Sequence, residues 1–204
     1  MKNLIIDCFA GGGGASVGIE MALGRPVDIA INHDPDAILM HKTNHPDTLH
    51  LTEDIFKVDL KKYVKSRNVA LMWASPDCTS HSKAKGGKPR KRGLRILPWA
   101  VYKHAKAILP EVILMENVEE IQQWGPLDVD GHPIKERQGE DYKKFITAMK
   151  SLGYVENWLR QILEPRQPEN GGTQYFVGMV GRLYGRYRHI SKTGNHGGNH
   201  AETT

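Results

Sequence analysis

The sequence is short of the residue types that define several specialised protein classes. Its 204 residues include only two cysteines, Cys8 and Cys78, which are too few for a disulfide scaffold and too far apart for a zinc site. No apolar run approaches the roughly 20 residues that cross a bilayer, and no signal peptide precedes Leu4. With 39% hydrophobic and 25% charged residues, the chain is long enough to bury an ordinary core. We therefore expect a cytoplasmic protein that needs neither a membrane nor a metal.

Excess charge is also scarce, and most of it lies in one segment. The chain has 28 Lys and Arg against 23 Asp and Glu, a net charge of +5. Between Ser82 and Leu97 there is no acidic residue, and the basic ones are Lys83, Lys85, Lys88, Arg90, Lys91, Arg92 and Arg95. This basic segment predicts contact with a polyanion such as nucleic acid. A solvated surface loop is the alternative interpretation.

Short apolar runs alternate with helical patterns along most of the chain. The runs at residues 3–7, 27–32, 49–55, 69–74, 112–115 and 154–162 predict strands, and residues 15–23, 36–43 and 141–152 predict helices. This alternation predicts an α/β fold with a doubly wound, mostly parallel sheet. Polar residues follow several runs, so we expect them to meet in a crevice at the carboxyl ends of the strands.

A glycine run follows the first predicted strand and precedes a helix. Four consecutive glycines, Gly11 to Gly14, allow a sharp turn and a close approach to a ligand. The lysine of a phosphate-gripping loop is missing after Gly14, which argues against an ATPase. Asp34 follows Gly14 by 20 positions, where an acidic residue binds ribose in nucleotide folds. A turn or helix-cap role is the alternative for Asp34.

Two further residues after apolar runs are candidates for chemistry. Cys78 follows a predicted strand and precedes the basic segment, whose charge favours the reactive thiolate. Glu116 follows the run at 112–115, where a carboxyl in a cleft can stay protonated and act as an acid. The alternatives are a small loop residue for Cys78 and a helix cap for Glu116. The histidines, among them His33, His41 and His45, show no metal spacing, and we interpret most as solvated or core residues.

In their order along the chain, these segments resemble the cytosine-C5 DNA methyltransferase family. Residues 7–18, DCFAGGGGASVG, look like its first motif, D-x-F-A-G-x-G-G-x-S-x-G, and residues 116–118 match its E-N-V motif. The resemblance implies a Rossmann-like domain that binds S-adenosyl-L-methionine. The cofactor-binding residues that it implies are Asp7, Phe9, Ala10, Gly11, Gly13, Gly14, Ser16, Asp34, Asp54, Ile55 and Pro76.

The same resemblance implies a mechanism and a substrate. Cys78 stands at the nucleophile position and would add to C6 of a cytosine flipped out of double-stranded DNA. Glu116, with Asn117 beside it, would hydrogen-bond to N3 and protonate it, so that C5 accepts the methyl group. The basic segment would hold DNA phosphates. A bacterial or phage origin, in a restriction-modification setting, is expected of the family.

The sequence departs from the family pattern in two places. Asp77 separates Pro76 from Cys78, where the family commonly has Pro-Cys. Beyond residue 162, no Q-x-R-x-R segment, target recognition region or final N-x-x-x-D/E motif is recognisable. We therefore expect a cofactor domain at 1–162, incomplete at its C-terminus, and an irregular tail at 163–204 in which only residues 175–180 look like a strand. A frameshift or early stop in a longer enzyme would explain this tail.

These observations leave more than one function open. The chain is a methyltransferase, with a second chain supplying target recognition where needed, or a noncatalytic remnant that keeps cofactor and DNA binding. A nucleotide-binding oxidoreductase on the same sheet is a third interpretation, which the Phe9-Ala10-Gly11 and Glu116-Asn117-Val118 segments disfavour.

Overall fold

The chain folds around one seven-stranded sheet with helices packed on it. A computed structural model describes residues 3–77, 92–161 and 175–182, with side chains for 3–77 and 93–155. In the described chain the strand order is β3-β2-β1-β4-β5-β7-β6. The strands are β1 (Leu4–Cys8), β2 (Ile29–Asn32), β3 (Leu49–Thr52), β4 (Val69–Ala74), β5 (Val112–Val118), β6 (Tyr154–Gln161) and β7 (Tyr175–Arg182).

Helices connect the parallel strands. They are α1 (Gly14–Leu23), α2 (Pro35–Asn44), α3 (Leu60–Val64), α4 (Arg92–Arg95), α5 (Leu97–Ile108) and α6 (Glu140–Ser151). The strands β1 to β5 pair in parallel, whereas β7 pairs antiparallel with both β5 and β6. Parallel strands require a crossover, and α1, α2, α3 and the α4–α5 pair provide the four that are needed.

The core lies on both sides of β1, whose five residues are all buried. Successive strand residues face opposite sides of a sheet. On one side, Ile5 packs with Ile19 of α1. On the other side, Leu4 and Ile6 belong to the larger cluster, which includes Val101 of α5 and Phe145 of α6. Because β1 is buried on both faces, its sequence is continuously apolar up to Asp7.

An aromatic group joins α5 to the segments that follow β5. The Trp99 ring lies 6.0 Å from the Trp124 ring and 5.8 Å from the Phe145 ring, centroid to centroid. Both contacts are edge-on, which is an arrangement that aromatic pairs prefer. These contacts fix the start of α5 and the segment after β5, which both border the carboxyl edge of the sheet.

The predicted doubly wound sheet is confirmed, with three differences in detail. β5 is longer than the apolar run and includes Glu116 and Asn117 at its end. The helices α3, α4 and α5 were not predicted, because α3 and α4 are very short and the pattern of α5 follows the basic segment. The strand predicted at residues 175–180 is confirmed and runs to Arg182. It lies between β5 and β6 in the sheet, while the boundary at residue 162 and the irregular character of the rest of the tail stay predictions.

Membrane-spanning helices and metal-binding groups were both unexpected from the sequence. No helix there is long and apolar enough to cross a membrane. No group of three His, Cys, Asp or Glu side chains there is arranged to hold a metal ion.

Candidate cofactor and catalytic site

A cleft opens at the carboxyl ends of β1 to β4. Its volume is about 540 Å³, within the range of small-molecule sites. It is lined by Phe9, Ile31, Asn32, His33, Glu53, Asp54, Ile55, Phe56, Ser75, Asp77, Gly93, Leu94, Ile96 and Leu97. Polar residues from the ends of three separate strands, β2, β3 and β4, therefore meet at one edge, as the sequence predicts, and apolar side chains from α4 and α5 close another side.

The first wall of the cleft is the turn after β1, which is held in an unusual conformation. Phe9 has a φ of 66°, in the left-handed region that non-glycine residues rarely adopt. The backbone N–H of Ala10 donates to the Ile31 carbonyl at 2.9 Å, and the Asn32 side chain donates to the Ala10 carbonyl at 2.7 Å. These bonds to β2 hold the strained turn in place and keep the Phe9 ring in the cleft.

The glycine loop that follows needs glycine at one position above all. Gly13 caps α1 with a φ of 105°, and a Cβ added there would lie 2.8 Å from Nε2 of His45. By contrast, a Cβ at Gly11 or Gly14 would meet nothing within 4 Å, so these two positions face open space. The loop therefore combines one tightly constrained glycine with two exposed ones that a ligand can approach closely.

Replacing Gly13 with alanine is expected to destabilise the fold by about 2 kcal/mol, because a strained φ and a close contact are both imposed. The matched control is Gly14→Ala, which adds the same methyl group in open space inside a helix and should be neutral or slightly stabilising. Urea denaturation of both variants measures the difference. Equal stabilities for the two variants would show that the loop conformation does not depend on Gly13.

A second wall of the cleft is the turn after β3, and side chains of α5 hold its backbone in place. Oδ1 of Asp54 accepts a hydrogen bond from the Phe56 N–H at 2.8 Å. From α5, the buried His104 ring bonds to the Ile55 carbonyl at 2.8 Å, and the Lys103 ammonium donates to the Phe56 carbonyl. Burial lowers the pKa of His104, which favours the neutral form of its ring. Sequence reasoning missed Lys103 and His104, because their partners are backbone atoms nearly 50 residues away.

Asp34 has the capping role that was its alternative interpretation. Its carboxylate accepts from the Asp36 N–H at 2.9 Å and caps α2. Asp34 is not among the residues that line the cleft, whereas Asn32 and His33 are. The neighbouring Asn32 also accepts from the Asp34 N–H at 2.9 Å. At the end of β2, the residues that line the cleft are thus Asn32 and His33, whereas the ribose contact was predicted for Asp34.

Asp7 and Ser16 lie beneath the glycine loop and do not reach the cleft surface. Asp7 is 1% exposed and Ser16 is fully buried, with Ser16 Oγ 2.8 Å from Asp7 Oδ2. Burial raises the pKa of Asp7 to about 7, a hydrogen bond from Ser16 lowers it, and the charge of Glu116 raises it further. In this arrangement the two residues support the glycine loop from below, and their contact with a cofactor stays a prediction. Burial and the charge of Asp7 also raise the pKa of the Cys8 thiol, which stays inert.

The catalytic candidates on β5 sit beside the exit of β4. The Asn117 side chain donates to the Pro76 carbonyl at 3.1 Å and accepts from the Val118 N–H at 3.0 Å. Glu116 is half-buried, and burial raises the pKa of its carboxyl. The bond between the buried residues Asn117 and Pro76 therefore fixes the position of the end of β5, which carries Glu116, relative to the segment that precedes Cys78.

Several predicted residues lie outside the described part of the chain, namely Cys78, Lys83, Lys85, Lys88, Arg90 and Lys91, and only the backbone of Arg92 is described. Arg95 is described, and it corrects the prediction made for it. The side chain is 6% exposed, and its guanidinium donates to the Gly125 carbonyl at 2.8 Å. Because it is buried against the segment after β5, Arg95 is a structural contact and not a phosphate ligand.

The sequence of the chain matches a known protein family. Residues 4–159 match the family model of C-5 cytosine-specific DNA methylase. The chain is 31% identical over 156 residues to the type II methyltransferase M.AgeI of Thalassovita gelatinovora, a match that covers 74% of this chain and 33% of that protein.

Solved structures share the fold. A DNA modification methyltransferase encoded within an E. coli prophage has a TM-score of 0.67 at 21% identity, covering 89% of this chain and 47% of that one. The Dnmt2 methyltransferase of S. pombe has a TM-score of 0.61 at 19% identity, covering 91% and 51%. This chain thus spans about a third of the curated relative and about half of these structures. With a mostly parallel sheet of the S-adenosylmethionine-dependent methyltransferase type and a family match over most of its length, the chain belongs to the C-5 cytosine-specific DNA methylases.

Proposed function

We propose that the chain binds S-adenosyl-L-methionine in the cleft and transfers its methyl group to C5 of cytosine in double-stranded DNA, with Cys78 as nucleophile. The observation that carries the proposal is the hydrogen bond from Asn117 to Pro76. It ties the strand end that bears Glu116 to the segment that enters Cys78. Glu116, the acid of the proposed reaction, is therefore held beside residues 75–77, which lead from β4 towards the proposed nucleophile at the edge where the cleft opens.

The cleft residues fit the proposed cofactor. Phe9, Ile55 and Leu97 offer apolar surface for an adenine ring, and the carboxylates of Glu53 and Asp54 can accept hydrogen bonds from hydroxyl or amino groups. Gly11 and Gly14 leave the loop open to close approach. When bound, the cofactor supplies a methyl group on a positively charged sulfur. The role of this chain is to hold that group against the reacting cytosine.

The chemical step follows from the thiol of Cys78 and from the carboxyl of Glu116 at the end of β5. The Cys78 thiolate forms a bond to C6 while Glu116 donates its proton to N3, which makes C5 nucleophilic. After methyl transfer, water takes the proton from C5, the C5–C6 double bond re-forms as the Cys78–C6 bond breaks to release the thiolate, and N3 returns its proton to Glu116. Burial favours the protonated form of Glu116 that this step requires. Asn117 acts through Pro76 as a positioning residue and need not touch the base.

DNA contact is proposed for the basic segment without Arg95, that is, for Lys83, Lys85, Lys88, Arg90, Lys91 and Arg92. Phosphate contacts of this kind give affinity that falls with salt and carry no sequence choice. Because the match covers only 33% of the curated relative, target choice is left to regions that this chain does not match. A second chain that reads the target remains a prediction.

The test is transfer of labelled methyl from S-adenosylmethionine to mixed-sequence duplex DNA by the full chain and by Cys78→Ser. Label in 5-methylcytosine that the substitution abolishes is the expected result. Cofactor binding by calorimetry should be the same for both proteins. No incorporation by the full chain, with cofactor binding intact, would replace catalysis with the noncatalytic alternative.

A further inference from the structure

Four polar side chains beneath the glycine loop form one series of hydrogen bonds. Ser16 Oγ lies 2.8 Å from Asp7 Oδ2 and 3.0 Å from His41 Nε2. His41 Nδ1 in turn lies 2.9 Å from His50 Nε2. The series crosses β1, α1, α2 and β3, and its first three members are at most 1% exposed. We name Asp7, Ser16, His41 and His50 the buried relay.

The chemistry of these groups gives the buried relay a direction. A hydroxyl has one hydrogen, and a neutral imidazole has one N–H and one lone pair, so each middle member donates on one side and accepts on the other. If Asp7 is protonated, it donates to Ser16, Ser16 donates to His41 Nε2, and His41 Nδ1–H donates to His50 Nε2. If Asp7 is ionised, every one of these bonds must reverse.

The buried end of the relay favours the first direction. Asp7 is 1% exposed, and no described residue forms a hydrogen bond with its other oxygen, Oδ1. Burying an ionised carboxylate with an unpaired oxygen is costly, so the protonated form of Asp7 is favoured. In that direction His50 accepts at Nε2, and as a neutral ring it carries its hydrogen on Nδ1.

We propose that the buried relay runs from the Asp7 carboxyl to the His50 ring and reverses when Asp7 ionises, which makes His41 and His50 positioning residues that act on the cofactor loop through Ser16. On reversal the Asp7 O–H bond breaks, and new bonds to hydrogen form at Ser16 Oγ, His41 Nε2 and His50 Nε2 in succession. His50 Nδ1 releases the balancing proton to water. A buried carboxyl thus exchanges its proton through the half-buried His50.

Charged groups around the buried relay keep the histidines neutral. On α2, His45 lowers the pKa of His41, which burial already depresses, to about 4, and it contacts Glu20 of α1 at 3.4 Å. Lys42 and His45 both lower the pKa of His50. Glu116 on β5 and Cys8 on β1 are the titratable neighbours of Asp7. Near neutral pH, the group that changes charge is therefore Asp7.

Reversal has a consequence for the cofactor that rests on the proposed function. Ionised Asp7 places a negative charge beneath the loop, and the sulfur of S-adenosylmethionine is a cation. We expect its Kd to fall about fivefold from pH 6 to pH 8.5, whereas S-adenosylhomocysteine, uncharged at sulfur, should change by less than about twofold. The two ligands share every other ionisable group, so their difference isolates the sulfur.

The test of the buried relay itself needs no ligand. In ¹⁵N-histidine-labelled full chain, with signals assigned from His41→Gln and His50→Gln, both rings should carry Nδ1–H at pH 6 and change to Nε2–H between pH 6.5 and pH 8. In Asp7→Asn, which cannot ionise, His41 should keep one tautomer at every pH. In Ser16→Ala, which breaks the connection, the change in His41 should disappear.

The outcomes separate this inference from the proposed function. A His41 tautomer that is constant with pH in the wild type, or that still changes in Asp7→Asn, would overturn the relay. Tautomer reversal without any cofactor binding would support the relay and contradict the proposed function. Cofactor binding whose pH dependence is the same for both ligands would overturn the link between the relay and the cofactor loop.

Discussion

Asp7→Asn is expected to make the fold more stable than the wild type, by an amount that grows by roughly 3 kcal/mol between pH 4 and pH 8. The reason is that burial raises the pKa of Asp7 from 3.8 to about 7. The folded protein therefore binds this proton more tightly than the unfolded chain does. The contribution of Asp7 to stability is fully present below pH 4 and is lost as pH rises to about 7.

The pH dependence of the wild type alone would not isolate Asp7. His41, whose pKa is lowered to about 4, acts in the opposite sense and costs stability as pH falls below 6.5. Comparing two proteins that both contain His41 cancels that effect. The measurement is the free energy of unfolding in urea at several pH values, for wild type and Asp7→Asn.

An exposed aspartate provides the matched control. Asp47 lies at the surface between α2 and β3, and Asp47→Asn should change stability by less than about 0.5 kcal/mol at every pH. If the difference between Asp7→Asn and wild type were equally flat, Asp7 would be an ordinary ionised carboxylate in the folded protein. The charge switch beneath the glycine loop would then have no basis.

Glu116→Gln is expected to lower the rate of methyl transfer by about 10²- to 10³-fold while cofactor affinity stays within about twofold. Glutamine can still hydrogen-bond to a cytosine, but it cannot give up a proton to N3. Glu116 does not line the cofactor cleft, so its loss should not weaken binding there. Single-turnover methyl transfer and calorimetry measure the two effects separately.

The pH profile adds a second readout for Glu116. Burial raises the pKa of its carboxyl, so the protonated form persists to a higher pH and its contribution is lost as pH rises through that value. The alkaline fall in rate that Glu116 causes should be missing in Glu116→Gln. Glu111→Gln, which removes an exposed carboxylate just before β5, is the control and should match wild type. A normal rate for Glu116→Gln would remove it from the mechanism.

Local patterns predicted the parts of the site that depend on local sequence. The run Leu4-Ile5-Ile6 predicts a buried strand, and the glycines after it predict a tight loop that opens a helix. Glu116 and Asn117 were expected at the same edge because they follow an apolar run. Each of these inferences needs only periodicity and the rule that parallel strands end at one edge.

Long-range contacts decide what sequence reasoning did not reach. Arg95 looks like the last member of a basic segment, yet a carbonyl 30 residues away holds it in the interior. The hydrogen bonds of His41 and His50 follow no motif, because their partners come from separate elements. Asp34 is a local case, since its carboxylate caps α2 through Asp36, which is the alternative that its position already offered.

The measurement that tests the central claim most directly is trapping of the covalent adduct. The full chain is incubated with S-adenosylmethionine and a mixed-sequence duplex that contains 5-fluorocytosine. Fluorine at C5 blocks the final elimination, so the bond between Cys78 and C6 should persist on a denaturing gel, and mass spectrometry should place the adduct on Cys78. The account predicts such an adduct for wild type and none for Cys78→Ser. An adduct in Cys78→Ser, or none in a wild type that methylates DNA, would contradict it.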